Sequence, residues 1–108
     1  MQTLVQVICS KGKSLRDSIV NDPKLSAFGL AVSKKQQPGR PHGWAKVHST
    51  EAGRRGALNL EWDGDTSILL CRVINRGAGR PNLIVGDFVD YILQRFRRRI
   101  EAVTIIPR

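Results

Sequence analysis

The stretch GALNLEWDGDTSILLCRVINR, residues 56–76, alternates apolar and polar residues on both sides of Asp63-Gly64. A period of two marks a strand with one buried face. Asp-Gly between two such runs marks a hairpin, because a type I′ turn needs positive φ at both central residues. A two-residue turn there pairs Trp62 with Asp65, Leu60 with Ser67, Leu58 with Leu69 and Arg55 with Arg72. Leu58, Leu60, Trp62, Leu69, Cys71 and Val73 then share the core face. Ala57, Asn59, Glu61, Ile68, Leu70 and Ile74 lie on the other, with Arg72 and Arg76. Like charges directly opposite on a sheet destabilise it. A bound polyanion would relieve the Arg55–Arg72 pair, as would Glu61, a neighbouring strand or a splayed strand end.

The other elements fall around this hairpin. TLVQVIC, residues 3–9, is β-branched and apolar, a buried strand. Ser14 with Asp17 three residues on resembles a capping box. A short helix follows on Leu15, Ile19 and Val20, and Asn21-Asp22-Pro23 stops it. Residues 25–33 fit either period and read as a strand, since the strand GWAKVHST follows beyond the loop KKQQPGRPH. Asp87 is the expected N-cap of a long helix, with Phe88, Val89, Ile92, Leu93, Phe96 and Ile100 on one face. EAVTIIP closes the chain as a strand. The expected fold is a single α+β domain over residues 1–108, in the order β-α-β-β-β-β-α-β. It has an antiparallel sheet of five to six strands, a short N-terminal helix and a long C-terminal helix. The long helix covers one face of the sheet. The short helix, or a second copy of the chain in a homodimer, would cover Ile68, Leu70 and Ile74 on the other.

Charge narrows the partners. Eighteen Lys and Arg against nine Asp and Glu give a formal net charge of +9, and 12 of the 18 cations are arginine. Such a balance favours nucleic acid or an acidic protein surface. Arginine is also the better fork for phosphate and guanine. The two cysteines, Cys9 and Cys71, lack metal spacing and are too few for a disulfide framework. Both sit in apolar runs as small hydrophobes, which implies a reducing compartment. No apolar run approaches membrane-spanning length, and MQTLVQVICS does not read as a signal peptide. The expected location is the cytoplasm, with no membrane association.

Four features compete for the functional site. Gly39-Arg40-Pro41 and Gly79-Arg80-Pro81 resemble the AT-hook core, which lays arginine along the minor groove. Pro38 and Ala78 stand where a hook carries a basic residue, so both copies are degenerate, and turn chemistry alone accounts for them. Arg95, Arg97, Arg98 and Arg99 place four cations in five residues at a helix end, more than the helix dipole calls for. Trp44, Lys46 and His48 alternate on one strand face as a stacking platform would, but Trp44 packed on a helix with Lys46 reaching to water is the preferred reading, since the core needs its tryptophans. No nucleophile elbow, phosphate loop or metal cluster is visible, so no cofactor is expected. A metal nuclease built on Glu61, Asp63 and Asp65 with Lys46 is the least favoured alternative.

The leading expectation is non-catalytic nucleic-acid binding. Arg95, Arg97, Arg98 and Arg99 contact phosphates, helped by Arg54, Arg55, Arg72 and Arg76. Arg40 and Arg80 act as loop arms, and Trp44 and Lys46 are the remaining binding residues. The alternative is an inhibitor or adaptor that docks on an acidic partner and needs an apolar anchor beside the charge, for example Trp44.

Overall fold

The computed structural model describes residues 2–51, 56–75 and 81–107. Its elements run β1 (Leu4–Cys9), α1 (Leu15–Val20), a 3-10 turn (Leu25–Phe28), β2 (Leu30–Lys34), β3 (Trp44–Ser49), β4 (Gly56–Asp63), β5 (Ile68–Asn75), α2 (Pro81–Phe96), a second 3-10 turn (Arg97–Arg99) and β6 (Ile100–Ile106). The strands form one six-stranded sheet in the order β2-β3-β4-β5-β1-β6, antiparallel at every pairing. The fold is thus the expected α+β arrangement, with β2 to β5 as a meander and β1 inserted between β5 and β6.

Local chemistry explains the element ends. The Ser14 side chain accepts the Asp17 N–H at 3.2 Å and caps α1. The Asp17 carboxylate turns to Arg16 at 2.8 Å, so the box is half made. Residues 25–28 form a 3-10 turn closed by Gly29 at φ 74°, and the strand read across them begins only at Leu30. Asp87 is not an N-cap. Helix α2 starts six residues earlier, at Pro81, where a missing N–H costs nothing. The earlier start brings Ile84 and Val85 into the core beside Phe88, Tyr91 and Ile92.

The β4–β5 register also differs from the two-residue turn. Leu58 pairs with Val73, Leu60 with Cys71 and Trp62 with Leu69, a slip of four residues. The Asp63 carboxylate accepts the Asp65 N–H at 2.9 Å and its carbonyl accepts the Ser67 N–H at 2.9 Å, with Ser67 at φ 57°. That closes a longer turn over residues 64–67, built from Gly, Asp, Thr and Ser. An even slip keeps every side chain on its face. Leu58, Leu60, Leu69 and Cys71 are fully buried and Val73 nearly so, as the alternation implied. Arg72, however, lies opposite Asn59 on β4 and Leu4 on β1, so it does not face Arg55.

Both helices cover the same face. Leu15 and Ile19 of α1 join Phe88 and Ile92 of α2 in one cluster with Val5, Val7, Leu60 and Leu69. The expectation that α1 would cover the opposite face is therefore wrong. Neither helix covers that face, although Arg40 lies over Trp44 at its β3 side; the face lies in rows across the strands. One row runs Asp63, Ile68, Ile8 and Ala102; the next Trp44, Glu61, Leu70, Gln6 and Thr104; the next Lys46, Asn59, Arg72, Leu4 and Ile106; the last His48, Ala57 and Ile74. Ile8, Ile68, Leu70 and Ile74 are half-buried there.

Candidate nucleic-acid interface

The arginine run divides into two kinds of residue. Arg95, in the last turn of α2, forks onto Asp22: Nε donates to Oδ2 at 2.9 Å and Nη2 to Oδ1 at 3.0 Å. The Tyr91 hydroxyl donates to the same Oδ2 at 2.9 Å, and the Lys24 N–H to Oδ1 at 3.0 Å. The Asp22 side chain is only 2% exposed. The Arg95 hydrogen bond, helped by those of Lys24 and Tyr91, lowers its pKa to about 2 against the opposing effect of burial. Burial and the adjacent Asp22 push the Tyr91 phenol up. Arg99 is equally committed: Nη1 donates to Ser18 Oγ and Nη2 to the Lys13 carbonyl, each at 2.7 Å. Its guanidinium lies 5.6 Å from the Phe96 ring centre.

Arg97 and Arg98 stand between these two anchors on the 3-10 turn. Both are exposed and make no partner contact among the described residues. The turn is also tied to the β1–α1 loop, because Ser10 N–H donates to the Arg99 carbonyl at 2.9 Å. That contact continues the β1–β6 pairing past Cys9 and Ile100. It brings the exposed Lys11 and Lys13 to the same corner. The exposed Arg97 and Arg98 thus border a groove of ≈ 500 Å³ lined by Leu93 to Arg99, and the backbone that carries Lys11 and Lys13 is tied to the same turn. The sequence reading missed the two lysines, since only the long-range β1–β6 pairing places them.

The remaining candidates are scattered. Arg40 sits in a turn where Gly39 has φ 82° and the Arg40 N–H donates to the Gln37 carbonyl at 3.0 Å. Its guanidinium lies 5.4 Å from the centre of the Trp44 ring, a cation–π distance. The first Gly-Arg-Pro is therefore a turn whose arginine folds back onto the protein. The second ends in Pro81, the first residue of α2, while Gly79 and Arg80 lie outside the described residues. Arg54, Arg55 and Arg76 lie outside them as well. Trp44 is 3% exposed, so its ring is neither a stacking platform nor an anchor. Lys46 is half-buried on the open face, one row from Trp44, and Arg72 is exposed there. His48 Nδ1 shares a 2.5 Å hydrogen bond with Ser33 Oγ.

Arg16 was not foreseen as a structural residue. It is 8% exposed and donates from Nε and Nη2 to the Trp44 carbonyl at 3.1 and 2.9 Å, and from Nη2 to the Lys35 carbonyl. It ties α1 to β3 and to the end of β2.

Glu61, Asp63 and Asp65 border an open cavity of ≈ 570 Å³ with Trp62, Ile68 and Leu70. Among the described residues no three His, Cys, Asp or Glu converge as a metal site would require. Cys9 and Cys71 are free and buried, and burial raises both thiols. No described helix is long and apolar enough to cross a membrane. In comparisons with family models, curated proteins and solved structures, nothing matches the chain.

Proposed function

We propose that this protein binds nucleic acid without catalysis, through phosphate contacts at the corner formed by Arg97, Arg98, Lys11 and Lys13. One observation carries the reading: two unpaired arginines sit between two arginines that each donate two hydrogen bonds within the protein. A fixed turn lowers the ordering cost that binding would otherwise meet. The arrangement suits a polyanion, and the formal net charge of +9 attracts one from a distance. Arg72 and Lys46 on the open face lie apart from this corner and are not part of the proposed contact. For the acidic-partner reading Trp44 does not serve as the apolar anchor, because it is buried beneath Arg40.

The test is fluorescence anisotropy with labelled duplex DNA, single-stranded DNA, RNA and heparin across a salt series. One nucleic acid should bind more tightly than heparin. R97Q/R98Q should lower the slope of log K against log salt by about 1.4–1.8, since each lost phosphate contact removes about 0.7–0.9. An unchanged slope, or heparin competing equally, overturns the proposal and directs the search to an acidic protein.

A further inference from the structure

We infer that the open face of the sheet is a homodimer interface, in which two copies pack face to face about a two-fold axis running across the strands. The observation behind it is the order of charge on that face, and it is independent of the nucleic-acid reading. Glu61 occupies one row of β4, and no described residue pairs with its carboxylate. The adjacent row holds Arg72, exposed and also without a described partner, on the neighbouring strand β5. Asn59 lies between Lys46 and Arg72 in that row, and its amide oxygen is buried with no hydrogen bond. The apolar residues Ile68 and Ile74 stand one row further out on either side, half-buried.

Face-to-face packing of identical sheets requires a two-fold axis lying within the interface. An axis along the strands would set each row against itself, acid beside acid and Arg72 beside Arg72. An axis across the strands, between the row of Glu61 and the row of Arg72, reverses the order. Glu61 of one copy then faces Asn59 of the other and lies one strand, about 4.8 Å laterally, from Arg72. The same operation places Ile68 against Ile74. The Glu61–Arg72 pair is therefore self-complementary in one of the two orientations, and aligned sheet packing accommodates it within about 30°. The cost of bringing two cationic chains together is moderated by where the charge sits. Arg97 and Arg98 lie on the turn that leads into β6, outside the rows of the open face. At physiological salt, charges more than about 8 Å apart are largely screened from each other.

The test is sedimentation equilibrium of the full chain over a concentration series. The wild type should weigh twice the chain mass at its upper end. E61K and R72E should each raise the dimer dissociation constant roughly tenfold or more, and E61K/R72E should restore it, because reversing both charges rebuilds the pair. Restoration also separates lost pairing from misfolding. A wild type that stays monomeric throughout overturns the inference. So does a dimer that survives both single reversals, which would place the contact elsewhere, for instance along the β6 edge. Single variants that dissociate without rescue by the double reversal also overturn it. So does a monomer whose RNA affinity falls with R72E, since nucleic acid would then occupy this face.

Discussion

Asp22 shows what one residue can hold together. It lies just past α1, yet its carboxylate receives Tyr91 and Arg95 from the far end of the chain and Lys24 from its own turn. A carboxylate whose folded pKa lies below its unfolded value stabilises the fold above the unfolded pKa. That contribution disappears as pH falls through the folded value. Here the two values are 3.8 and about 2. The contribution is therefore complete above about pH 4 and lost toward pH 2, and a shift of this size corresponds to about 2 kcal/mol. Asp22→Asn should remove most of it. Urea titrations at pH 7 should show a loss of about 2 kcal/mol, and the wild-type advantage should vanish near pH 2. An advantage that persists unchanged at pH 2 would mean that the stability does not depend on ionised Asp22. In the sequence this aspartate reads only as part of a helix stop, because its partners lie 69 and 73 residues away.

At the scale of elements, backbone contact matters as much as side-chain pattern. Gly43 opens β3 and its carbonyl accepts the Trp62 N–H at 2.9 Å. A Cβ on Gly43 would meet the Trp62 carbonyl oxygen at 2.5 Å, closer than real Cβ contacts. Gly43→Ala must push the start of β3 away from β4, and should cost about 1–3 kcal/mol in chemical denaturation, the range for forced overpacking. A loss below about 0.5 kcal/mol, the ordinary surface range, would show that the β3 entry gives way freely. The alternation from Leu58 to Val73 was legible because a strand exposes its period directly, and the face assignment survived a wrong turn length because the slip was even. The turn itself was misread. Asp-Gly carries the two-residue signal, and nothing local announces that Ser67 takes a left-handed conformation. The start of α2 was misread for a related reason. Leu83, Ile84 and Val85 form an unbroken apolar run, which a strand and a buried helix share. Which face α1 covers depends on where β1 and β2 lie in the sheet, and no local pattern encodes that order.

Across the whole molecule, the basic run at the end of α2 looks uniform in sequence, and only the tertiary contacts divide it. Arg95 and Arg99 each bind groups contributed by residues 13–22, so they join the two ends of the chain. Arg97 and Arg98 contribute no such contact, and their replacement removes only exposed cations. Binding and stability should therefore separate between the two pairs. R97Q/R98Q should leave the unfolding free energy within about 0.5 kcal/mol of wild type, as expected for exposed positions without partners, while weakening nucleic-acid binding. R95Q should lower the thermal midpoint, because it leaves a nearly inaccessible carboxylate without its cation. R99Q should lower it too, by releasing Ser18 and the Lys13 carbonyl and with them the loop that carries Lys11 and Lys13. The salt slope of binding should fall in R99Q as well, since the loop that carries Lys11 and Lys13 loses its tie to the turn. Differential scanning calorimetry and the anisotropy salt series, run on the same preparations, measure both quantities. If all four arginines affected stability alike and binding alike, the division into anchors and contacts would be wrong, and the run would act as a diffuse charge at a helix end.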